Sequence, residues 1–243
     1  MKNIRVISFL MLATLFMGMS SLFASCRIGG THGDGNVKKE TRSVSGFDGI
    51  KVSGAFNIIL SQGATEEVII EADENILPLI ITKVEGGMLK IYTNKPIHNV
   101  TTMKAYITVK DIKRVEVSGA CDIVGQTQIK TTELSFDASG ASDSKLDIAV
   151  QKLKLFCSGA SKLKFSGIAN EVTVDCSGAT DLFAFDLLAE SYDIDLSGAG
   201  EAEINVSKRI HADVSGAGSI RYKGSPTEID QNVSGAGSIK KLK

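Results

Sequence analysis

From about residue 43 onward the chain alternates apolar and polar residues with a period of two, and the tripeptide Ser-Gly-Ala interrupts the alternation at regular intervals. It occurs eight times, starting at Ser53, Ser118, Ser139, Ser158, Ser177, Ser197, Ser215 and Ser234, and the last seven copies lie 21, 19, 19, 20, 18 and 19 residues apart. When the copies are aligned on the Ser, the residue before it is always apolar: Val117, Ala138, Cys157, Cys176, Leu196, Val214 and Val233. Three before it stand Val115, Phe136, Leu155, Val174, Ile194 and Ala212, with Gln231 breaking the column. The position between these columns holds Glu116, Asp137, Phe156, Asp175, Asp195, Asp213 and Asn232. Such a period of two is a strand with one buried face and one wet face. Five residues past the Ser a further apolar column follows, Ile123, Leu163, Leu182, Ala202, Ile220 and Ile239, with Ser144 as the exception. Each repeat therefore reads strand, corner, strand, return.

No such unit can bury its own apolar face, so the units must stack, each closing the open edge of the one before. The predicted architecture is all-β: a single-domain right-handed parallel β-helix, or β-solenoid, with coils of about 19 residues. The drifting period, without a six-residue subperiod, argues against the left-handed hexapeptide type, and the alternation excludes a helical solenoid. A recurring Gly at the corner implies a backbone with positive φ or a close approach. The expected corner ladder is Ser118 and Gly119, Ser139 and Gly140, Ser158 and Gly159, Ser177 and Gly178, Ser197 and Gly198, Ser215 and Gly216, Ser234 and Gly235. Its hydroxyls can bond to one another or to neighbouring backbone. Residues 43–243 form the β-helix, with about four irregular coils over 43–117 and regular Ser-Gly-Ala coils over 118–243, a rod of roughly 50 Å at 4.8 Å per coil.

The start of the chain differs. Residues 1–25 combine Lys2 and Arg5 with an apolar run from Ile4 to Phe23 and no acid, the pattern of an export signal. The run ends in Leu22-Phe23-Ala24-Ser25-Cys26, which resembles a bacterial lipobox with Phe where that motif prefers Leu. Cleavage before Cys26 would leave its thiol to carry lipid; plain secretion and a retained anchor helix are the alternatives. Residues 26–42 carry no apolar period and read as a flexible tether. Without the leader, 25 cations face 28 anions, a net charge of −3. That disfavours nucleic acid, which needs a basic face.

Gly46-Phe47-Asp48-Gly49-Ile50-Lys51-Val52-Ser53-Gly54-Ala55-Phe56-Asn57-Ile58, and Ala105 to Ile112 leading to Val115-Glu116-Val117-Ser118-Gly119-Ala120, resemble the putative auto-transporter adhesin head GIN domain family. The resemblance spans about residues 43–240. It implies a right-handed β-helix and an envelope location in Bacteroidetes-type bacteria, and the word adhesin implies surface attachment. It brings no catalytic set, and the charged end Ser234 to Lys243 lacks the alternating membrane strands of a true auto-transporter.

Candidate chemistry is sparse. Asp175, Asp195 and Asp213 should stack on successive coils, either as a cation ladder or as a solvated acidic column, since two charges 4 Å apart in water repel by only about 1 kcal/mol. His32, His98 and His211 stand in no acid-His-Arg grouping, so a carbohydrate-active enzyme is the weakest reading. Cys157 and Cys176 share one apolar column, as a disulfide or as two buried thiols. Phe136, Phe165, Phe183, Phe185 and Tyr192 read as core, and Phe156 as an outward ring. No cofactor is implied. The expectation is a non-enzymatic outer-membrane lipoprotein, attached through Cys26, that adheres to or captures a surface glycan or a host or partner protein. A structural module that forms homo-oligomers through solenoid ends or edges is the alternative.

Overall fold

In the computed structural model, residues 29–242 are described. The expected export leader and the expected lipid attachment at Cys26 lie outside them. About 75% of the chain is strand, in stacked parallel coils of about 20 residues that make a β-solenoid. The strands are β1 (Thr31–His32), β2 (Val37–Arg42), β3 (Gly49–Gly54), β4 (Asn57–Gln62), β5 (Glu67–Asp73), β6 (Ile80–Glu85), β7 (Met88–Thr93), β8 (Ile97–His98), β9 (Met103–Val109), β10 (Arg114–Gly119) and β11 (Asp122–Gly125). Then β12 (Ile129–Gly178) winds through several coils without a break, followed by β13 (Asp181–Gly198), β14 (Glu201–Gly216), β15 (Ser219–Gly224), β16 (Glu228–Gly235) and β17 (Ser238–Lys241).

The apolar columns read from the sequence are ladders in register. Val115 faces Phe136 and Val117 faces Ala138, while Val174, Ile194 and Ala212 follow one another from β12 to β13 to β14. All are buried in one continuous core that runs from Phe47 to Tyr222. Full burial of a Val, Leu, Ile or Phe side chain is worth about 1.5–3 kcal/mol, so the stack rests on many small repeated contributions.

The corner glycines are required twice over. Gly178 has φ +97°, and a Cβ built on it would lie 2.5 Å from the carbonyl oxygen of Gly159, which accepts the N–H of Ala179 at 2.8 Å. The backbones of successive coils touch at this corner, and no other residue leaves the room. Ser hydroxyls complete it: Ser118 donates to Ser53 Oγ at 2.8 Å, and Ser139 and Ser177 donate to the carbonyls of Val117 and Cys157 at 3.3 and 3.4 Å.

The region 43–117 departs from the expected run of irregular coils. The coil β3–β4 stacks directly on β10–β11, with Ser53 opposite Ser118 and Ile58 opposite Ile123, although 65 residues separate the pairs. The ladder therefore has eight rungs, about 34 Å at 4.8 Å spacing, and the expected longer rod is not formed. The intervening chain turns back on itself: β7 pairs parallel with β3 and β9 with β4, but β6 lies antiparallel on β7, and β5 antiparallel on β9. The β6–β7 hairpin and the antiparallel pair β5–β9, with the 3-10 turn Leu77–Leu79, lie at the first end, where Ile76, Leu77 and Ile80 are buried.

The tether expected over 26–42 is also corrected within its described part. Val37–Arg42 is β2, antiparallel to β5 and outermost in the sheet. Its text Val-Lys-Lys-Glu-Thr-Arg has no apolar alternation because an outermost strand here needs no buried face: Lys39 pairs with Glu71 at 3.3 Å and the Arg42 guanidinium donates to the Leu77 carbonyl at 2.8 Å. A charged edge discourages further strand addition. At the opposite end β16 is exposed along its whole length, and Ile229 and Val233, on inward columns, are 49% and 42% exposed because no strand of the described residues pairs with the outer edge of β16.

Candidate functional site

On the outward face of the Ser-Gly strands, Asp175, Asp195 and Asp213 stand opposite one another on consecutive coils, as the repeat implies. His211 extends the charged column beside them, its Nδ1 3.0 Å from Asp230 and its Nε2 3.5 Å from Asp213. Among the described residues no three His, Cys, Asp or Glu side chains come together as a metal group. Asp137, two places nearer the first end in the same column beyond Phe156, has its carboxyl pushed up by burial and by the neighbouring Glu116. His32 and His98 lie elsewhere, their rings 5.8 Å apart on the paired strands β1 and β8.

Cys121, Cys157 and Cys176 are buried free thiols. The neighbouring Cys176 thiol together with burial pushes the Cys157 thiol well above its ordinary range. Such thiols are small core residues without the nucleophilic thiolate.

The aromatic residues divide differently from the sequence expectation. Phe136, Phe165 and Tyr192 are fully buried, Phe136 and Phe165 meeting edge to face at 5.7 Å, and Phe156 is outward, as expected. Phe183 and Phe185, expected in the core, instead point outward from the second strand of their coil and are half-buried. The reason is the unbroken alternation from Leu182, a buried member of the column five residues past the Ser: Phe183 and Phe185 fall on the outward face and Ala184 on the inward one. A β-bulge follows directly. Lys164 faces Phe183 but Ser166 faces Asp186, so β13 carries one extra residue, and against β14 the register jumps again between Ala184 and Leu188. Asp186 is thereby a second outward residue in succession before Leu187 returns to the core, and the Phe185 carbonyl accepts the Asn205 amide at 3.3 Å. The signal was present in the 20-residue step from Ser177 to Ser197, followed by the 18-residue step to Ser215.

Around these rings lies a shallow groove of about 520 Å³, lined by Lys162, Lys164, Phe183, Phe185, Asp186, Glu203 and Lys223. Lys162 Nζ stands 5.3 Å from the Phe183 ring centre and Lys223 Nζ 4.3 Å from that of Phe185. The groove shares Lys162 and Lys164 with a second one of about 370 Å³ that reaches Lys145 and the exposed Val124. Glu203 is already engaged by Arg221 at 2.8 Å, whereas Lys145, Lys162, Lys164 and Lys223 have no carboxylate within 4.0 Å among the described residues. A further groove of about 520 Å³ between Asp48 and Glu133 differs in being internally paired: Lys113 sits 2.8 Å from Asp48 and holds that carboxyl below its ordinary value.

A comparison with curated protein sequences finds no significant match. Among solved structures, the chain is similar to a "putative adhesin" from Bacteroides fragilis NCTC 9343, at 26% identity and a TM-score of 0.83, over 88% of this chain and 100% of that one. It is also similar to a "putative lipid binding protein" from Parabacteroides distasonis ATCC 8503 (22% identity, TM-score 0.71, 88% and 100%) and a "putative adhesin" from Parabacteroides merdae ATCC 43184 (20%, 0.70, 88% and 99%). At those identities the last two show the fold alone. The profile of the family described as "Putative auto-transporter adhesin, head GIN domain" matches residues 46–226, three quarters of the chain, and the chain belongs to that family.

Proposed function

We propose that the protein is a non-enzymatic, lipid-anchored adhesin of the cell envelope, tethered through Cys26 and attaching to a glycan or protein by the outward columns of its solenoid. The observation that carries this reading is the form of the surface: eight coils whose Ser-Gly strands stand in register present parallel columns of side chains with open, shallow grooves. Enclosed, largely apolar pockets are the usual form of small-molecule sites, and a shallow repeated surface suits many weak contacts spread over an extended partner. The family, and the similarity to the Bacteroides fragilis adhesin, support an adhesin-like role and with it an envelope or surface location.

The test is proteinase digestion of intact cells, with detergent-lysed cells as control, followed by detection of a tag near Lys243. Digestion on intact cells is expected. Protection until lysis would end the adhesin reading. Radiolabelled palmitate incorporation that disappears in Cys26→Ala is the matching test of the anchor.

A second reading, self-association, is favoured by one specific feature: β16 and β17 leave the last coil unpaired on one side, with Ile229 and Val233 exposed. Unpaired strand edges add strands. On this reading sedimentation velocity shows dimers at high micromolar concentration and only monomer for Val233→Lys; monomer alone for the unaltered protein removes it.

A further inference from the structure

The bulged coil does something the other coils do not. On its second strand, just before the extra residue, the outward positions Phe183 and Phe185 place two aromatic rings side by side on the surface. A solvent-facing Phe gains nothing in stability over a polar residue, and neither ring is required to fill the core, since Ala184 and Leu187 hold the inward positions. The rings are met by lysines, and those lysines, with Lys145 and Lys164, are not neutralised by any carboxylate within reach. The groove around the rings sets Lys162, Lys164 and Lys223 against Asp186 and the Arg221-engaged Glu203, so it is locally cationic and aromatic on a chain whose net charge is negative.

We infer that this groove binds an acidic polysaccharide, a chain of linked uronate-type pyranoses. A sugar ring stacks its C–H face on Phe183 or Phe185, its carboxylates pair with Lys162, Lys164 and Lys223, and its hydroxyls donate to Asp186. The inference rests on the capture reading above and gives it a ligand class and a place.

Three features single out this occupant. The groove and its neighbour run together across successive coils, at about 4.8 Å per coil, which matches the advance of a pyranose chain by one sugar per coil. Long, flexible lysines over exposed rings are held weakly, so an arriving carboxylate can draw each ammonium off its ring and leave the ring for the sugar. Asp186 and Asp143, interleaved with the lysines, would repel a continuous anionic membrane surface but accept hydroxyl hydrogens. An acidic peptide has no strand edge to extend here, because the strands on this face are paired on both sides.

The experiment is calorimetric titration of the full chain with polygalacturonate oligomers. Neutral galactan oligomers, poly-L-glutamate and phosphatidylserine vesicles serve as the competing probes. Polygalacturonate is expected to bind, to weaken with added salt, and to lose at least about fivefold in affinity in Phe185→Ala and in Lys223→Gln. Phe156→Ala, an outward ring outside the groove, is expected to bind as the unaltered protein does, and circular dichroism checks that each variant is folded.

The inference is overturned if polygalacturonate fails to bind, if Phe185→Ala and Lys223→Gln bind it unchanged, or if poly-L-glutamate or the vesicles bind as tightly. Binding of neutral galactan alone would overturn the acidic ligand while leaving glycan capture standing. Binding of no glycan at all, together with full protection on intact cells, would remove the capture reading with it.

Discussion

The corner ladder makes a quantitative claim: methyl groups added to three of its glycines must cost very different amounts. Gly54 has φ +126°, but a Cβ there meets nothing closer than the Phe56 ring at 3.5 Å, since no Ser-Gly coil lies above it. Only the backbone conformation is penalised, by about 1–2 kcal/mol. Gly178 has φ +97° and adds the collision with the Gly159 carbonyl at 2.5 Å. Contacts of a real Cβ are essentially never under 3.0 Å, so that carbonyl must retreat by at least about 0.5 Å. The retreat carries the Ala179 hydrogen bond from 2.8 Å beyond ordinary hydrogen-bond length. An unmade bond of this kind costs about 1–3 kcal/mol, which brings Gly178→Ala to about 2–5 kcal/mol. Gly235→Ala meets the same geometry, 2.5 Å from the Gly216 carbonyl, but in the last coil, which can fray without unfolding the rest. Its global cost should fall below that of Gly178→Ala. Urea denaturation followed by far-UV circular dichroism reads all three, provided the slope with denaturant is unchanged. Equal losses for Gly54→Ala and Gly178→Ala would refute the idea that coil-to-coil backbone contact, and not φ alone, makes these glycines necessary.

The remaining predictions concern charge and thiols. Glu85 lies between Lys83 and Lys90, whose ammoniums lower its carboxyl from the usual 4.5 to about 2, so its contribution to stability is present above pH 4.5 and lost as pH falls through about 2; NMR titration of that carboxyl near pH 4.5 would contradict the pairing. Asp195→Asn, in the middle of the aspartate ladder, should leave stability unchanged or raise it by less than about 1 kcal/mol, and millimolar calcium should not move the melting midpoint of the unaltered protein; a calcium-dependent rise abolished by Asp195→Asn would show that the ladder holds a cation. Cys121, Cys157 and Cys176 should resist Ellman's reagent in the folded protein and react on unfolding; prompt labelling of all three at native conditions would mean that the core opens readily.

What the sequence disclosed and what it concealed follow from the range over which each interaction acts. The columns from Val117 to Val233 were legible because each strand meets its partner about one repeat away, so burial imposes the same text seven times. The place of Ser53 was not, because nothing in Ile50 to Leu60 states that its partner lies 65 residues on. The intervening hairpins alternate as solenoid strands do, and alternation is blind to strand direction. The strand Val37–Arg42 was hidden for the opposite reason: an outermost strand held by main-chain bonds and ion pairs needs no apolar pattern. Phe183 and Phe185 looked like core because they are aromatic, yet Leu182, inward in the column five residues past the Ser, already sets both on the outward face by alternation.

The 65-residue offset at the first end also sets an order of events for a chain made from its N-terminus. Strands β3 and β4 emerge early, yet their partners on one side, β7 and β9, are complete only at residues 93 and 109, and those on the other, β10 and β11, only at residue 125. Until then Ile50, Val52, Ile58 and Leu60 lack the coil that completes their cover. Every later coil, by contrast, finds its template already in place about one repeat behind it. The first coil is thus closed only when about half of the chain has been made, and a factor that shields this segment during synthesis would act on its two short strands.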